Sequence, residues 1–285
     1  MNSVKNIIIS GADNKPIALD IFYAVGAEKK PVVIYAHGFN GFKDWANFDI
    51  IARRFAEKGF VFVKFNFSHN GTAPATPEEF TDPEAFGNNN YSKQLLDLNN
   101  VIDWVCDPDN ENQNIIDVNN ICLIGHSMGG GISILHAAGD KRIKKVITWA
   151  GISECNTPWG SWPAEKMQEW KETGVQYYLN GRTKQQMPLY YQLYEDYLQN
   201  HERLDIEAAI KRLQIPILIC HGTSDTAVPI ERANDMVLWQ PNAVLFPTDS
   251  DHVFGRSHPW LSAELPPAME EVVQESIKFL APDKA

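Results

Sequence analysis

The chain has 285 residues, of which 44% are hydrophobic and 11% aromatic, enough for one large α/β domain or a domain with an insertion. Its formal net charge of -11 at pH 7 argues against binding to nucleic acid or to acidic membranes, which attract positively charged surfaces. No apolar run approaches the ~20 residues that cross a bilayer, so we expect no membrane partner.

The first half of the chain alternates strand-like and helical patterns. The runs VKNIIIS and IALDIFYAV, separated by a turn-rich stretch, predict an antiparallel hairpin. Runs rich in β-branched and aromatic residues at 32–38 and 60–67 predict two strands, and the stretch between them predicts a helix that stops at Gly59. The Pro-, Gly- and Asn-rich stretch 68–90 predicts a long loop, and YSKQLLDLNNVIDWVC predicts the next helix.

The second half of the chain continues this alternation after one interruption. Strands are predicted at 120–125, in KKVITWAG, at 215–222 and at 243–247, and the last helix is predicted near PAMEEVVQESIKFL. Alternating strands and helices indicate an α/β fold in which a mostly parallel sheet carries helices on both faces. The leading hairpin would add antiparallel strands at one edge.

The interruption is the segment 152–205, which shows no strand pattern and contains Trp159 and Trp162. Residues at helical spacing within it are Leu189, Leu193, Tyr197 and Leu198. We predict a helical cap inserted into a core domain made of 1–151 and 206–285. Open α/β sheets bind ligands at the carboxyl ends of their strands, so we expect about half of the Trp and Tyr residues of this segment, with Trp159 and Trp162 as the named candidates, to line a substrate pocket. The others would form the core of the cap.

One serine lies between two glycines, Gly125 and Gly129, in the stretch LIGHSMGGG. The pattern G-x-S-x-G stands between a predicted strand and a stretch able to form a helix, the context in which a serine is presented on a tight, strained turn. Ser127 is therefore a candidate nucleophile, with a polar residue in a glycine-rich turn as the alternative. A serine hydroxyl is a weak nucleophile at neutral pH, so it requires a base and an acid that orients the base.

Candidates for the acid and the base follow two later predicted strands. Asp225 comes just after the strand at 215–222, and His252 comes just after the strand at 243–247. The order Ser, Asp, His is the order that a strand–turn–helix serine site uses, so we predict a triad of Ser127, Asp225 and His252. The alternatives left open are His258 as the base and Asp249 or Asp251 as the acid.

A serine hydrolase also needs two backbone N–H groups that stabilise the oxyanion. Met128, the residue after the candidate nucleophile, would provide one of them. Phe39, in the stretch HGFNG at the end of the strand 32–38, would provide the other, with an ordinary glycine turn as the alternative.

The stretches AHGFNG, GHSMGG, HGTSDTAVP and DHVF resemble the α/β-hydrolase family, and more narrowly its dienelactone-hydrolase-like and cinnamoyl or feruloyl esterase-like members. The resemblance covers essentially the whole chain outside the insertion. It implies an α/β-hydrolase fold and a carboxylesterase that acts on a small-molecule ester through an acyl-enzyme intermediate on Ser127, with no metal and no cofactor. The segment NFSHNGTAP departs from the Asp-x-Arg-Gly-x-Gly pattern of many relatives and leaves the role of 68–76 open.

Other activities of the same fold remain as alternatives. A peptidase would need a site for a peptide amine, and a carbon–carbon bond hydrolase would need a second acidic group, and the sequence identifies neither. A non-catalytic binding protein of this fold would be expected to lack a triad member, whereas all three are present. The acyl and alcohol groups and the oligomeric state are left open.

The compartment is inferred from the cysteines and the first residues. The four cysteines show neither a CxxC spacing nor a neighbouring histidine cluster, which argues against a zinc site. The start of the chain shows no apolar core followed by a cleavage site, so no signal peptide is expected. We therefore expect a reduced protein in the cytoplasm.

Overall fold

The computed structural model describes residues 1–26, 28–46 and 48–281. The central strands are β1 (Asn2–Ser10), β2 (Pro16–Tyr23), β3 (Lys30–Ala36), β4 (Val61–Phe65), β7 (Ile116–His126), β8 (Ile143–Trp149), β11 (Ile217–Gly222) and β12 (Val244–Thr248). They form one sheet in the order β1-β2-β4-β3-β7-β8-β11-β12. The leading hairpin pairs antiparallel at one edge and all pairs from β4 to β12 are parallel, which confirms the predicted architecture.

Helices cover both faces of this sheet, because side chains along each strand alternate between the two faces. Residues Val32 and Ile34 of β3 pack in the apolar layer that includes α3 (Tyr91–Cys106), α4 (Met128–Ala137), α7 (Ile206–Arg212) and α8 (Glu231–Trp239). Residues Val33 and Tyr35 pack in the opposite layer, with α1 (Phe48–Glu57) and α9 (Pro267–Leu280). Residue 47 of the predicted first helix and residues 282–285 of the predicted core domain lie outside the described residues.

The segment 152–205 is not entirely helical, and this part of the prediction is wrong. It contains α5 (Ala164–Thr173), the hairpin strands β9 (Val175–Leu179) and β10 (Gln186–Tyr190), and α6 (Gln192–Gln199). The predicted helical stripe begins in β10 and ends at Leu198, which is 50% exposed. Five-residue strands contain too few residues for their alternation to be distinguished from helical spacing.

The stretch 68–90 is likewise more ordered than a single loop. It contains the short strands β5 (Thr72–Ala73) and β6 (Thr76–Phe80) and the one-turn helix α2 (Pro83–Gly87). Asp82 caps that helix, because its carboxylate accepts a hydrogen bond from the N–H of Ala85 at 2.9 Å.

Cys106, Cys122, Cys155 and Cys220 are all free, and burial raises the pKa of the Cys122 thiol to about 11. In the part of the chain that the structure describes, no helix has both the length and the apolar character needed to cross a lipid bilayer.

Candidate active site

Ser127 lies on the turn between β7 and α4, with φ +53° and ψ −119°. This strained conformation depends on the two flanking glycines. A Cβ at Gly125 would lie 2.1 Å from the carbonyl oxygen of Gly129, and a Cβ at Gly129 would lie 2.3 Å from the carbonyl oxygen of Ala36. Strand and helix therefore approach each other too closely for any side chain at either position. The turn presents the serine at the carboxyl edge of the sheet.

His252 and Asp225 form a hydrogen-bonded pair at the same edge. Nδ1 of His252 lies 2.7 Å from Oδ2 of Asp225, and the N–H groups of Ala227 and Val228 donate to Oδ1 at 2.9 and 2.8 Å. Burial raises the pKa of Asp225, but hydrogen bonds with His221 and His252 outweigh it and hold that pKa well below its usual range. An ionised Asp225 accepts the Nδ1 proton of His252 and so favours the tautomer in which Nε2 of a neutral ring is the acceptor.

Ser127 and His252 line one cavity of about 280 Å³. Side chains that also line it are Tyr35, His37, Phe39, Asn40, Phe42, Trp45, His126, Tyr178, Val253 and Arg256. Within the described residues, Ser127 Oγ makes no hydrogen bond. Hydrogen bonds between catalytic groups commonly tighten only when a substrate binds.

The backbone beside Ser127 provides two N–H groups. A Cβ at Gly38 would lie 2.9 Å from Cβ of Ser127, so the chain after β3 touches the serine directly. The N–H of Gly41 donates to the carbonyl oxygen of Gly38 at 3.1 Å and closes a turn; we call residues 38–41 the oxyanion loop. Neither Phe39 N–H in this loop nor Met128 N–H in the first turn of α4 has an acceptor among the described residues.

Two histidines hold the backbone around the cavity. Burial lowers the pKa of His37 to about 4, so its ring is neutral and accepts the Phe67 N–H at Nε2, at 3.3 Å. Its Nδ1 donates to the carbonyl oxygen of Gly38 at 2.9 Å. Burial also lowers the pKa of His126 well below its usual value, and Nε2 of this ring lies 2.9 Å from the carbonyl oxygen of His252. Sequence reasoning gave His126 no such contact.

The alternative base and acids have other contacts. Nδ1 of His258 accepts the N–H of Ala46 at 3.0 Å, and its ring packs edge-on against Phe42. Oδ1 of Asp251 accepts backbone N–H groups within its own turn, and Asp249 is exposed. The structure therefore brings His252 to the cavity, with Asp225 hydrogen-bonded to its ring, but not these alternatives.

Trp159 and Trp162 do not line this cavity, contrary to the prediction. The ring of Trp159 packs against Trp170, Tyr194 and other aromatic residues, and the ring of Trp162 lies 5.1 Å from that of Trp170. Both therefore belong to the aromatic core of the cap. Tyr178 of the hairpin strand β9 reaches the cavity instead, because the hairpin lies over the oxyanion loop.

Arg256 is a cavity residue that the sequence analysis missed. It is only 4% exposed, its Nε donates to the carbonyl oxygen of Val253 at 2.9 Å, and its guanidinium lies over the rings of Trp45 and Phe48. Nη1 is buried and has no partner among the described residues. Burial lowers the pKa of Arg256 to about 10, so the group is still charged at neutral pH. The sequence contained no signal for it, because burial of an arginine depends on distant segments.

A cluster of carboxylates lies at the base of the oxyanion loop. Asp20, Asp44 and Asp49 have oxygens within 4.8 Å of one another, a spacing that a cation could bridge. The ammonium group of Lys43 already lies 2.8 Å from Asp20, and that of Lys64 lies 2.7 Å from Asp49. The arrangement fits a buried ion-pair network better than a metal site, since two lysines neutralise the carboxylates.

Comparison with known proteins supports the fold. A family model described as the alpha/beta hydrolase fold matches residues 31–185, more than half of the chain. The protein of Mycoplasma genitalium named "Putative esterase/lipase 2" is 34% identical over 115 residues, which are 40% of this chain and 35% of that protein. The chain thus spans about a third of the length of this curated relative.

Solved structures show the same fold at low sequence identity. Est1E from Butyrivibrio proteoclasticus is 18% identical over 98% of both chains, with a TM-score of 0.65. The alpha/beta hydrolase GrgF from Penicillium sp. sh18 is also 18% identical over 98% of both chains, with a TM-score of 0.69. With the family match and the parallel sheet, these likenesses confirm the expected resemblance: the chain belongs to the alpha/beta hydrolase family.

Proposed function

We propose that this protein is a serine hydrolase that cleaves carboxylic esters through an acyl-enzyme intermediate on Ser127. One observation carries the proposal. Ser127, on a strained strand-to-helix turn, opens into the same cavity as His252, whose ring is held by the buried carboxylate of Asp225. Nucleophile, base and orienting acid are the three groups that acyl transfer by a serine requires.

The proposed reaction has two steps. Oγ of Ser127 attacks the ester carbonyl carbon while Nε2 of His252 takes the serine proton; His252 then returns this proton to the leaving alcohol as the carbon–oxygen bond breaks. Water attacks the acyl-enzyme in the same way and releases the acid. The N–H groups of Phe39 and Met128 donate to the oxyanion in both steps, and each such donor contributes on the order of 10²–10³ in rate.

The walls of the cavity suggest which ester it accepts. Phe39, Phe42, Trp45 and Tyr178 give it aromatic surface, and Arg256 adds a buried positive charge. We propose an ester with an aromatic group, and favour one that also carries a negative charge. Ferulic acid, an aromatic acid, is bound to Est1E in a solved structure that is 20% identical to this chain with a TM-score of 0.66. The proposal includes a cytoplasmic location, which the free cysteines support.

Labelling with a fluorophosphonate, together with a panel of alkyl and aryl esters, tests this proposal. We expect one label per chain at Ser127 and hydrolysis of at least one aryl ester. Ser127→Ala is the matched control and should lose both. A wild-type protein that takes no label and hydrolyses none of the esters would instead support a non-catalytic binding protein of this fold.

A further inference from the structure

A buried side chain of the cap contacts the oxyanion loop. Asn180 follows β9, in the turn between β9 and β10, and is 1% exposed. Its Nδ2 donates to Oδ1 of Asn40 at 3.0 Å. The contact joins two residues 140 positions apart, one in the cap and one directly after Phe39.

The orientation of the Asn180 amide is determined by its own turn. Its Oδ1 accepts the backbone N–H groups of Arg182 and Thr183, at 3.0 and 3.1 Å. Oδ1 must face these donors, so Nδ2 must face Asn40. The turn thus presents a fixed donor to the oxyanion loop.

Asn40 has an unusual backbone conformation. Its φ is +56°, a value that side-chain-bearing residues other than asparagine and aspartate rarely adopt. It occupies the third position of the turn closed by Gly41 N–H and Gly38 C=O, the position at which a type II turn requires a positive φ. A contact that fixes Asn40 therefore restrains the turn that carries Phe39 at its second position.

A second contact reinforces the first. The ring of Tyr178, two residues before Asn180, packs edge-on against the ring of Phe39 with centroids 5.2 Å apart. The hairpin therefore contacts both residues at the centre of the turn, Asn40 through its side-chain amide oxygen and Phe39 through its ring.

We propose that Asn180 is a positioning residue: through Asn40 it holds the oxyanion loop in the conformation that aims the Phe39 N–H at the reacting carbonyl. The cap then takes part in stabilising the oxyanion, besides covering the cavity. The catalytic consequence rests on the proposed function, whereas the positioning itself does not.

A double-mutant cycle measures the coupling. Asn40→Gly permits the positive φ and removes the side-chain contact, and Asn180→Ala removes the donor together with the Oδ1 that accepts the N–H groups of its own turn. Each variant should lower kcat about 10-fold and leave KM within about 3-fold of the wild-type value. The loss in kcat should be smaller than the ~10²-fold or larger loss expected when a whole oxyanion donor is removed. The double variant should be no slower than the slower single variant, because both remove the same interaction. Thr183→Ala, in the same turn, should keep wild-type kcat.

Hydrogen exchange of the peptide that covers residues 37–44 provides a measurement independent of activity. Exchange should be faster in Asn180→Ala and in Asn40→Gly than in the wild type or Thr183→Ala. Unchanged exchange in both asparagine variants would overturn the proposal, and so would losses in kcat that add in the double variant or that fall on KM alone. If the wild type hydrolyses no ester, the proposed function fails, and the exchange data still decide whether Asn180 holds the loop.

Discussion

The carbonyl oxygen of His252 accepts a hydrogen bond of 2.9 Å from Nε2 of His126, the residue directly before the candidate nucleophile. The two rings lie 4.8 Å apart. The neutral ring of His126 thereby ties the serine turn to the loop that carries the candidate base. This hydrogen bond from a side chain to the backbone thus couples the position of Ser127 to that of His252, the two residues that exchange a proton in the proposed reaction.

Ser127→Ala should abolish ester hydrolysis and leave the fold intact. Both residues carry a Cβ, so the positive φ at position 127 costs the same in each, and the hydroxyl makes no hydrogen bond within the described residues. We expect kcat to fall about 10⁴-fold or more while the free energy of unfolding stays within about 1 kcal/mol. Steady-state kinetics and urea unfolding measure the two quantities. A variant that retains more than a tenth of the wild-type activity would reject Ser127 as the nucleophile.

Asp225→Asn should keep the position of the side chain and lower turnover. The amide oxygen can still accept the N–H groups of Ala227 and Val228, but the amide nitrogen would then face Nδ1 of His252 and favour the wrong tautomer. We expect a loss in kcat of up to about 10⁴-fold. Asp249→Asn and Asp251→Asn are the matched controls. A larger loss in either control than in Asp225→Asn would show that the acid is misassigned.

Tyr178→Ala should change the preference among esters. Its ring lines the cavity beside Ser127, whereas Trp162 packs in the core of the cap. The ratio of kcat/KM for an aryl ester to that for a short alkyl ester should fall several-fold in Tyr178→Ala, since loss of an aromatic contact costs about 1 kcal/mol. The ratio should stay unchanged in Trp162→Ala. Equal ratios in the wild type and both variants would exclude Tyr178 from the substrate pocket.

Arg256→Gln should selectively weaken the hydrolysis of negatively charged esters. The guanidinium is buried against Trp45 and Phe48 and retains an unpaired Nη1, so its charge is poorly screened within the cavity. We expect KM for an aryl ester with a carboxylate to rise at least 10-fold, with a smaller change for its neutral methyl ester. Arg256→Lys keeps a positive charge, so its KM for the charged ester should lie between those of the wild type and Arg256→Gln. An equal rise in KM for the charged and the neutral ester would indicate a structural role for Arg256.

Acidification should destabilise the fold through buried His37. Its folded pKa of about 4 lies below the usual 6.5 because burial disfavours the charged ring. The unfolded chain then binds the proton first, so the free energy of unfolding falls as the pH drops from 6.5 to 4. Between pH 7 and pH 5 this residue should contribute a loss of about 1–2 kcal/mol. Urea unfolding of the wild type and of His37→Gln at pH 7 and pH 5 measures this loss in the free energy of unfolding. An equal loss in both proteins would show that His37 does not cause it.

The elements that position the candidate site were readable in the sequence. Long strands such as β3 and β7 show continuous runs of buried apolar residues, and α4 follows a serine between two glycines. Asp225 and His252 each follow a strand, and the carboxyl ends of parallel strands meet at one edge. Local pattern and sheet geometry together are therefore sufficient to place Ser127, Asp225 and His252 near one another.

Only the tertiary structure determined which residues form the core of the cap and which line the cavity. Nothing local distinguishes Tyr178, which reaches the cavity, from Trp159, which lies in the core of the cap. The burial of Arg256 and the contact between Asn180 and Asn40 likewise join segments far apart in the chain. Periodicity reports which face of an element is apolar, but it does not report which distant segment covers that face. Sequence therefore determined the candidate chemistry, and packing between distant segments determined which residues surround it.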